Sequence, residues 1–305
     1  MLSRKQKHIL LKFFSMFSVV RGYNILVIVI AQYLASIYIL AHDKPLRHVV
    51  LDLNLFMLVL ASAASIAGGY IINNFYDSGK DLINRPIKSR LDKLVSQNTK
   101  LSFYFVLNFL AAIMASYVSF RAVVFFSIYI FGIWLYSHKL KRYPSIGVFS
   151  ATMLTILPFF AVFVYFKNFS KIIFVHAFFL FLVIMIRELL KDLQSMKGAV
   201  VHNYDTFPIV YGEKKTKLVC LFLLTLTIFP IIILFSFPAL SYMRYYFYIV
   251  LIVFFFLGIY LWKSSELKHY RRMHNVLKIL LLIGVFAIIF IDTSLLVEKV
   301  MDRLN

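Results

Sequence analysis

Residues 53–81 read LNLFMLVLASAASIAGGYIINNFYDSGKD. The first part, 53–74, is an almost unbroken apolar run of roughly 20 residues, the length that crosses about 30 Å of hydrocarbon. The run then passes directly into Asn73, Asp77 and Asp81. If the helix continues, these three fall at i, i+4 and i+8 on one face and span about 12 Å along the axis. A membrane helix that ends in a carboxamide and two aligned carboxylates presents hard oxygens suited to Mg²⁺. Lys80, Arg85, Lys88 and Arg90 crowd the same stretch, where they can neutralise a diphosphate.

The rest of the chain repeats the first half of that pattern. Apolar runs occupy about 18–41, 53–74, 101–119, 122–137, 146–166, 171–191, 216–236, 244–262 and 277–297. Of 305 residues, 62% are apolar and 15% charged, against about 25% charged in a soluble domain. Nothing alternates like a barrel strand, and lipid leaves no water for open backbone groups, so every run is expected to be helical. The expectation is an all-α, polytopic membrane protein, nine transmembrane helices in one bundle, with residues 1–305 forming a single domain. The run at 18–41 is too long for a signal-peptide core and reads as an uncleaved first helix.

The net charge of +20 does not point to nucleic acid, because the basic residues lie almost entirely in the short connections. With the N-terminus inside, 25 of the 33 Lys and Arg fall on that side; the other eight are Lys44, Arg47, Arg121, Lys167, Lys171, Arg244, Lys299 and Arg303. The positive-inside rule therefore predicts a cytoplasmic N-terminus, with contact to membrane lipids. One cysteine, Cys220, and scattered histidines give no zinc signature. Asp292, near the end of the last run, reads as an interfacial acid.

Two inside connections, about 75–100 and 192–215, exceed the others in length, and long loops tend to be functional. Seven of the 13 acids belong to them or to the helix ends that open them: Asp77, Asp81, Asp92, Glu188, Asp192, Asp205 and Glu213. Glu188 and Asp192 repeat the i, i+4 spacing within Arg187-Glu188-Leu189-Leu190-Lys191-Asp192. For any one of these acids, a solvated helix end is the simpler explanation. Two same-face pairs on one side of the membrane favour a site, since ionisable groups beside membrane segments are costly.

These residues resemble the UbiA-type intramembrane prenyltransferases. Asn73, Asp77, Asp81 and Asn84-Arg85-Pro86 match the first motif of that family in order and spacing. The Arg-Glu-x-x-Lys-Asp form of the second motif is similar to the branch acting on isoprenoid glyceryl phosphates. Thr206-Phe207-Pro208-Ile209 through Gly212, and Tyr136-Ser137 with Leu140-Lys141-Arg142, resemble further family segments. The chain departs from the pattern at Asn74, where an Asp is frequent, and at Gln194, Ser195 and Ala199, where relatives carry more acids.

The resemblance implies Mg²⁺ held by Asp77 and Asp81, with a second ion at Glu188 and Asp192, these four acting as catalytic and metal residues. It implies Asn73, Asn74, Arg85, Tyr136, Ser137, Lys141, Arg142 and Lys191 as contacts to an isoprenoid diphosphate. The allylic C–O bond then breaks toward a carbocation that an unidentified acceptor captures. The basic loops and the lack of a cleavable signal fit a multi-pass protein of a prokaryotic plasma membrane. The competing readings are an ion-coupled secondary transporter, whose acids belong near the midplane, and a scaffold that kept the fold without turnover.

Overall fold

Most of the described backbone lies in helices, which satisfy its hydrogen bonds internally as a lipid environment demands. The computed structural model describes residues 3–41 and 43–291, and among these there is no strand. The expected outer end of the last run, with Asp292, Lys299 and Arg303, lies outside the described residues.

The first expected span, about 18–41, is Gly22–Leu40, and a separate helix precedes it. Helix α1 (Arg4–Val19) starts at a reciprocal cap between Ser3 and Gln6 and stops before Arg21, whose φ of 50° is left-handed. Helix α2 (Gly22–Ala35) then crosses, with a π-helical last turn at Ser36–Leu40. After the short α3 (Leu46–Val50), Asp52 caps α4 (Leu53–Asn84) by accepting from the Asn54 and Leu55 amides at 3.0 and 3.2 Å. Its 32 residues make a rod of about 48 Å, longer than the hydrocarbon is thick. The surplus turns carry Asp77 and Asp81 out to the interface.

Helix α5 (Pro86–Asp92) follows, then α6 (Gln97–Val118), α7 (Phe120–His138) and α8 (Pro144–Phe166). Ser119 alone separates α6 from α7 and caps the second by accepting from the Ala122 amide. Helix α9 (Lys171–Gln194) carries the second acidic pair, followed by α10 (Met196–Val201). Helices α11 (Phe207–Leu226), α12 (Ile228–Phe235), α13 (Met243–Lys263) and α14 (Leu267–Ala287) complete the bundle. Nine helices among the described residues are long and apolar enough to span a membrane, α11 and α12 acting as one. The two connections expected as long loops are therefore mostly helical: α4 and α9 run on to Asn84 and Gln194, and α5 and α10 fill much of the remainder.

Packing follows from small residues and from repaired breaks. A Cβ on Gly68 would lie 2.9 Å from Asn108 Oδ1 of α6, and one on Gly69 would lie 2.9 Å from Ile133 Cγ2 of α7, so the missing side chains let these helices pack closely. Pro158, inside α8, removes the amide that would serve the Leu154 carbonyl. The Tyr129 hydroxyl donates to that carbonyl instead, at 3.2 Å. One core unites chiefly α2, α4, α7 and α8, and a second chiefly α9, α11, α13 and α14. Phe105, Phe109, Phe255 and Phe256 face outward, where lipid replaces a protein partner. Between the two cores lies a cavity.

Candidate active site

The cavity has a volume of about 680 Å³ and is polar at one end and apolar at the other. Its polar end collects Asn73, Asp77 and Asp81 from α4 and Glu188, Lys191 and Asp192 from α9, joined by Arg85, Tyr136, Ser137 and Lys141. Ten of the twelve residues singled out in the sequence thus line one space.

The helical spacing of the first motif holds, so its three polar side chains share a face. Lys141 reaches them from the 3₁₀ turn Leu140–Arg142, its Nζ 2.8 Å from Asp77 Oδ1 and 3.3 Å from Asn73 Oδ1. Burial pushes the Lys141 ammonium below the usual lysine range, and Asp77 opposes that shift only in part. Burial likewise lowers Arg85, with Arg21 adding to the effect and Asp81 resisting it. In α9, Lys191 pairs with Glu188. The side-chain carboxylates of Asp81 and Asp192 make no hydrogen bond or ion pair among the described residues, which leaves their oxygens open to the cavity.

A polar lock sets the two acidic ends against each other. The Asn84 side chain donates to the Ser195 carbonyl at 3.2 Å and accepts from the Gly198 amide at 3.1 Å. A Cβ on Gly198 would meet Asn84 Nδ2 at 2.4 Å and the Lys80 carbonyl at 2.9 Å, so only glycine lets α10 come this near α4. On the other side of the lock a Cβ on Gly79 would strike the His202 ring at 2.6 Å. Ser195 lines the cavity and Ala199 serves packing. Ser195 Oγ donates to the Lys191 carbonyl at 2.8 Å as α9 ends, and Ala199 is fully buried.

Two expected contacts are not in this space. Asn74 is one residue beyond Asn73, which turns it about 100° around the helix. It faces away from the cavity and bonds Asp92 and Lys100 instead. Arg142 faces a small adjoining hollow with Asn203 and Asp205, and its guanidinium lies 5.3 Å from the Tyr204 ring centre. It reaches the site through Tyr204.

Tyr204 was not singled out by the sequence. Its hydroxyl donates to Asp77 Oδ1 at 3.3 Å, and Lys80 Nζ lies 4.7 Å from its ring centre. Burial, with Asp77 adding, pushes its hydroxyl up to about 12. Arg21, Asn24, Arg187 and Lys278 also line the cavity. Lys278 lies 4.1 Å from the Tyr23 ring centre and Arg21 4.9 Å from that of Tyr70. Arg187 Nε is buried with no hydrogen-bond partner among the described residues. A lysine within the apolar stretch of α14 was the available signal for Lys278.

The donor set fits Mg²⁺. No three His, Cys, Asp or Glu side chains converge into a cage among the described residues; the carboxylates come in two pairs on facing helices. Mg²⁺ is typically bound by one or two carboxylates, waters and substrate phosphate rather than by an all-protein shell.

A membrane-spanning helical bundle with paired acids and lysines at the mouth of an apolar cavity has the form of an enzyme acting on a lipid-tailed anion. Residues 16–289 match the UbiA prenyltransferase family, and the chain belongs to it. It is a prenyltransferase. Digeranylgeranylglyceryl phosphate synthase of Methanobrevibacter smithii is 27% identical over 282 residues, covering 88% of this chain and 94% of the relative. The protein of the same name from Thermococcus sibiricus is also 27% identical, over 277 residues, with the same coverages. Among solved structures, one concerned with digeranylgeranylglyceryl phosphate synthase in membranes shares the fold with a TM-score of 0.69 and 23% identity, covering 92% of this chain and 98% of that one. A UbiA homologue from Archaeoglobus fulgidus bound to GPP and Mg²⁺ gives a TM-score of 0.66 at 13% identity, over 90% of this chain and 99% of that one.

Proposed function

We propose that the chain transfers a prenyl group from an isoprenoid diphosphate to an acceptor that itself carries a phosphate, in a Mg²⁺-dependent reaction within the membrane. The observation that carries this reading is the Asn84 lock, which holds both acidic faces against a single cavity. Asp77 and Asp81 hold one ion, and Glu188 and Asp192 a second. When bound, Mg²⁺ supplies Lewis-acid stabilisation of the departing diphosphate.

The chain's own groups do the rest. Lys80, Arg85, Lys141 and Lys191 line the cavity and neutralise the diphosphate, a charge-stabilising role that gains strength away from water. Ser137 Oγ, buried without a partner among the described residues, is free to donate to a phosphate oxygen. The apolar end of the cavity takes the hydrocarbon tail and excludes water from the reacting carbon. Arg21, Arg187 and Lys278 line the cavity, half-buried, and make no ion pair among the described residues. Cations withdrawn from water seek anions, and this group suits the acceptor's phosphate. The naming of the curated relatives supports a glyceryl-phosphate lipid as that acceptor.

The distribution of Lys and Arg supports a cytoplasmic N-terminus, with the acidic helix ends on the same side, in the plasma membrane of a prokaryote. The test is purified protein with geranylgeranyl diphosphate, with and without Mg²⁺, against geranylgeranylglyceryl phosphate and a neutral lipid alcohol. Mg²⁺-dependent diphosphate release coupled to prenylation of the phosphate-bearing lipid alone is expected. Prenylation of the neutral alcohol alone would reject the acceptor assignment, and absence of release with every acceptor would reject the reaction.

A further inference from the structure

Behind the first acidic motif, on the face of α4 turned from the cavity, lies a buried charged network. Asp92 is 3% exposed, Lys100 2% and Asn74 8%. Lys100 Nζ donates to Asn74 Oδ1 at 3.0 Å, and Asn74 Nδ2 donates to Asp92 Oδ2 at 3.0 Å. The Asn74 amide therefore relays between an ammonium and a carboxylate. Lys88 Nζ also meets Asp92 Oδ2, at 2.5 Å, and Ser18 Oγ donates to Asp92 Oδ1 at 3.0 Å. Ser15 Oγ adds a bond to the Leu91 carbonyl at 2.8 Å.

The connectivity gives these bonds a consequence. Helix α4 ends at Asn84, and α5 begins at Pro86 and ends at Asp92. Asp92 is bonded to a residue ten positions back along α4, about 15 Å down its axis. Helix α5 is thus a strap folded back against α4, anchored to α4 at its far end by the Asp92 carboxylate, with the Leu91 carbonyl held by Ser15 of α1. Arg85 is the apex of the strap. It lines the cavity, and its amide donates to the Asp81 carbonyl at 2.8 Å.

We propose that Asp92 is a positioning residue: through Asn74 and Lys100 it anchors the α5 strap and so fixes the Arg85 guanidinium at the diphosphate end of the cavity. The contact of Arg85 with diphosphate rests on the function proposed above; the anchoring does not. A buried charge needs its partners, and a satisfied buried network selects one arrangement of the elements it joins. The location of the carboxylate is what matters for positioning. On α5 it both neutralises Lys100 and ties the strap; on α4, opposite an apolar residue at position 92, it would only neutralise Lys100.

The test separates these two roles. Asp92→Leu is compared with the double variant Asn74→Asp/Asp92→Leu, which moves the carboxylate to α4 beside Lys100 and leaves position 92 without a hydrogen-bonding group. For each, thermal stability in detergent and the KM and kcat for geranylgeranyl diphosphate are measured. Asp92→Leu is expected to lower the thermal midpoint and raise the KM roughly 10-fold, since small displacements of a substrate-positioning group are costly. The double variant is expected to recover the midpoint while its KM stays raised. Recovery of both would make the carboxylate only a counterion for Lys100 and overturn the proposal. An unchanged KM in folded Asp92→Leu, or failure of both variants to fold, would overturn it as well. A wild-type protein inactive toward geranylgeranyl diphosphate would count against the proposed reaction, with the recovery of thermal stability still reading the anchor.

Discussion

Replacing Lys141 by Met should move metal affinity and turnover in opposite directions. Lys141 Nζ sits 2.8 Å from Asp77 Oδ1, and the two side chains are 5% and 15% exposed. At that distance and an effective dielectric near 20, their attraction is about 6 kcal/mol. Desolvation of both groups cancels much of it, leaving about 1.5–3 kcal/mol for a charge-assisted hydrogen bond. Mg²⁺ must displace or share this contact to reach Asp77. Without Lys141, the protein free of substrate should therefore bind Mg²⁺ roughly 10-fold more tightly or better. Transfer should nevertheless fall about 100-fold, because the leaving diphosphate loses a buried donor that water cannot replace. Isothermal titration with Mg²⁺ gives the first quantity and single-turnover diphosphate release the second. Lys141→Arg should keep most of the activity. Turnover at the wild-type level in Lys141→Met, or weaker Mg²⁺ binding alongside slower transfer, would refute the reasoning.

Asp77→Asn and Asp192→Asn should each lower transfer by about 100-fold or more while leaving a folded protein, read by product formation beside a detergent melting curve. Gly198→Ala should wedge α10 from α4 at Asn84, and a loss of stability of roughly 1–3 kcal/mol, typical of overpacking, should appear in that melting curve. Lys278→Met should raise the KM for a phosphate-bearing acceptor several-fold and leave that for the prenyl diphosphate unchanged. Lys167→Gln, at the exposed far end of α8, should change neither.

The sequence made the spans and both acidic faces readable because they are local. Run length and i, i+4 spacing survive in one dimension, and each motif lies on a single helix. The connections misled for an equally physical reason. Their basic, Pro-containing stretches look like loops, yet Pro86 stands at the first position of α5, where its missing amide costs nothing. Adjacent residues were also hard to separate: Asn73 and Asn74 are equally polar, and only the helix phase set by packing sends one to the cavity and the other to Asp92. Tyr204 and Arg21 reach the site through tertiary approach alone. Lys278 was counted as a topological charge when its place inside an apolar run was the more telling fact.

The central claim is that two acidic helix ends, separated by more than a hundred residues, build one site. The measurement that tests it most directly is Mn²⁺ titration followed by electron paramagnetic resonance, with a non-hydrolysable prenyl diphosphate analogue present. The account predicts two ions per chain, magnetically coupled, and a single uncoupled ion when Glu188 and Asp192 are replaced by Gln and Asn. One ion in the native protein, unaffected by those replacements, would contradict it.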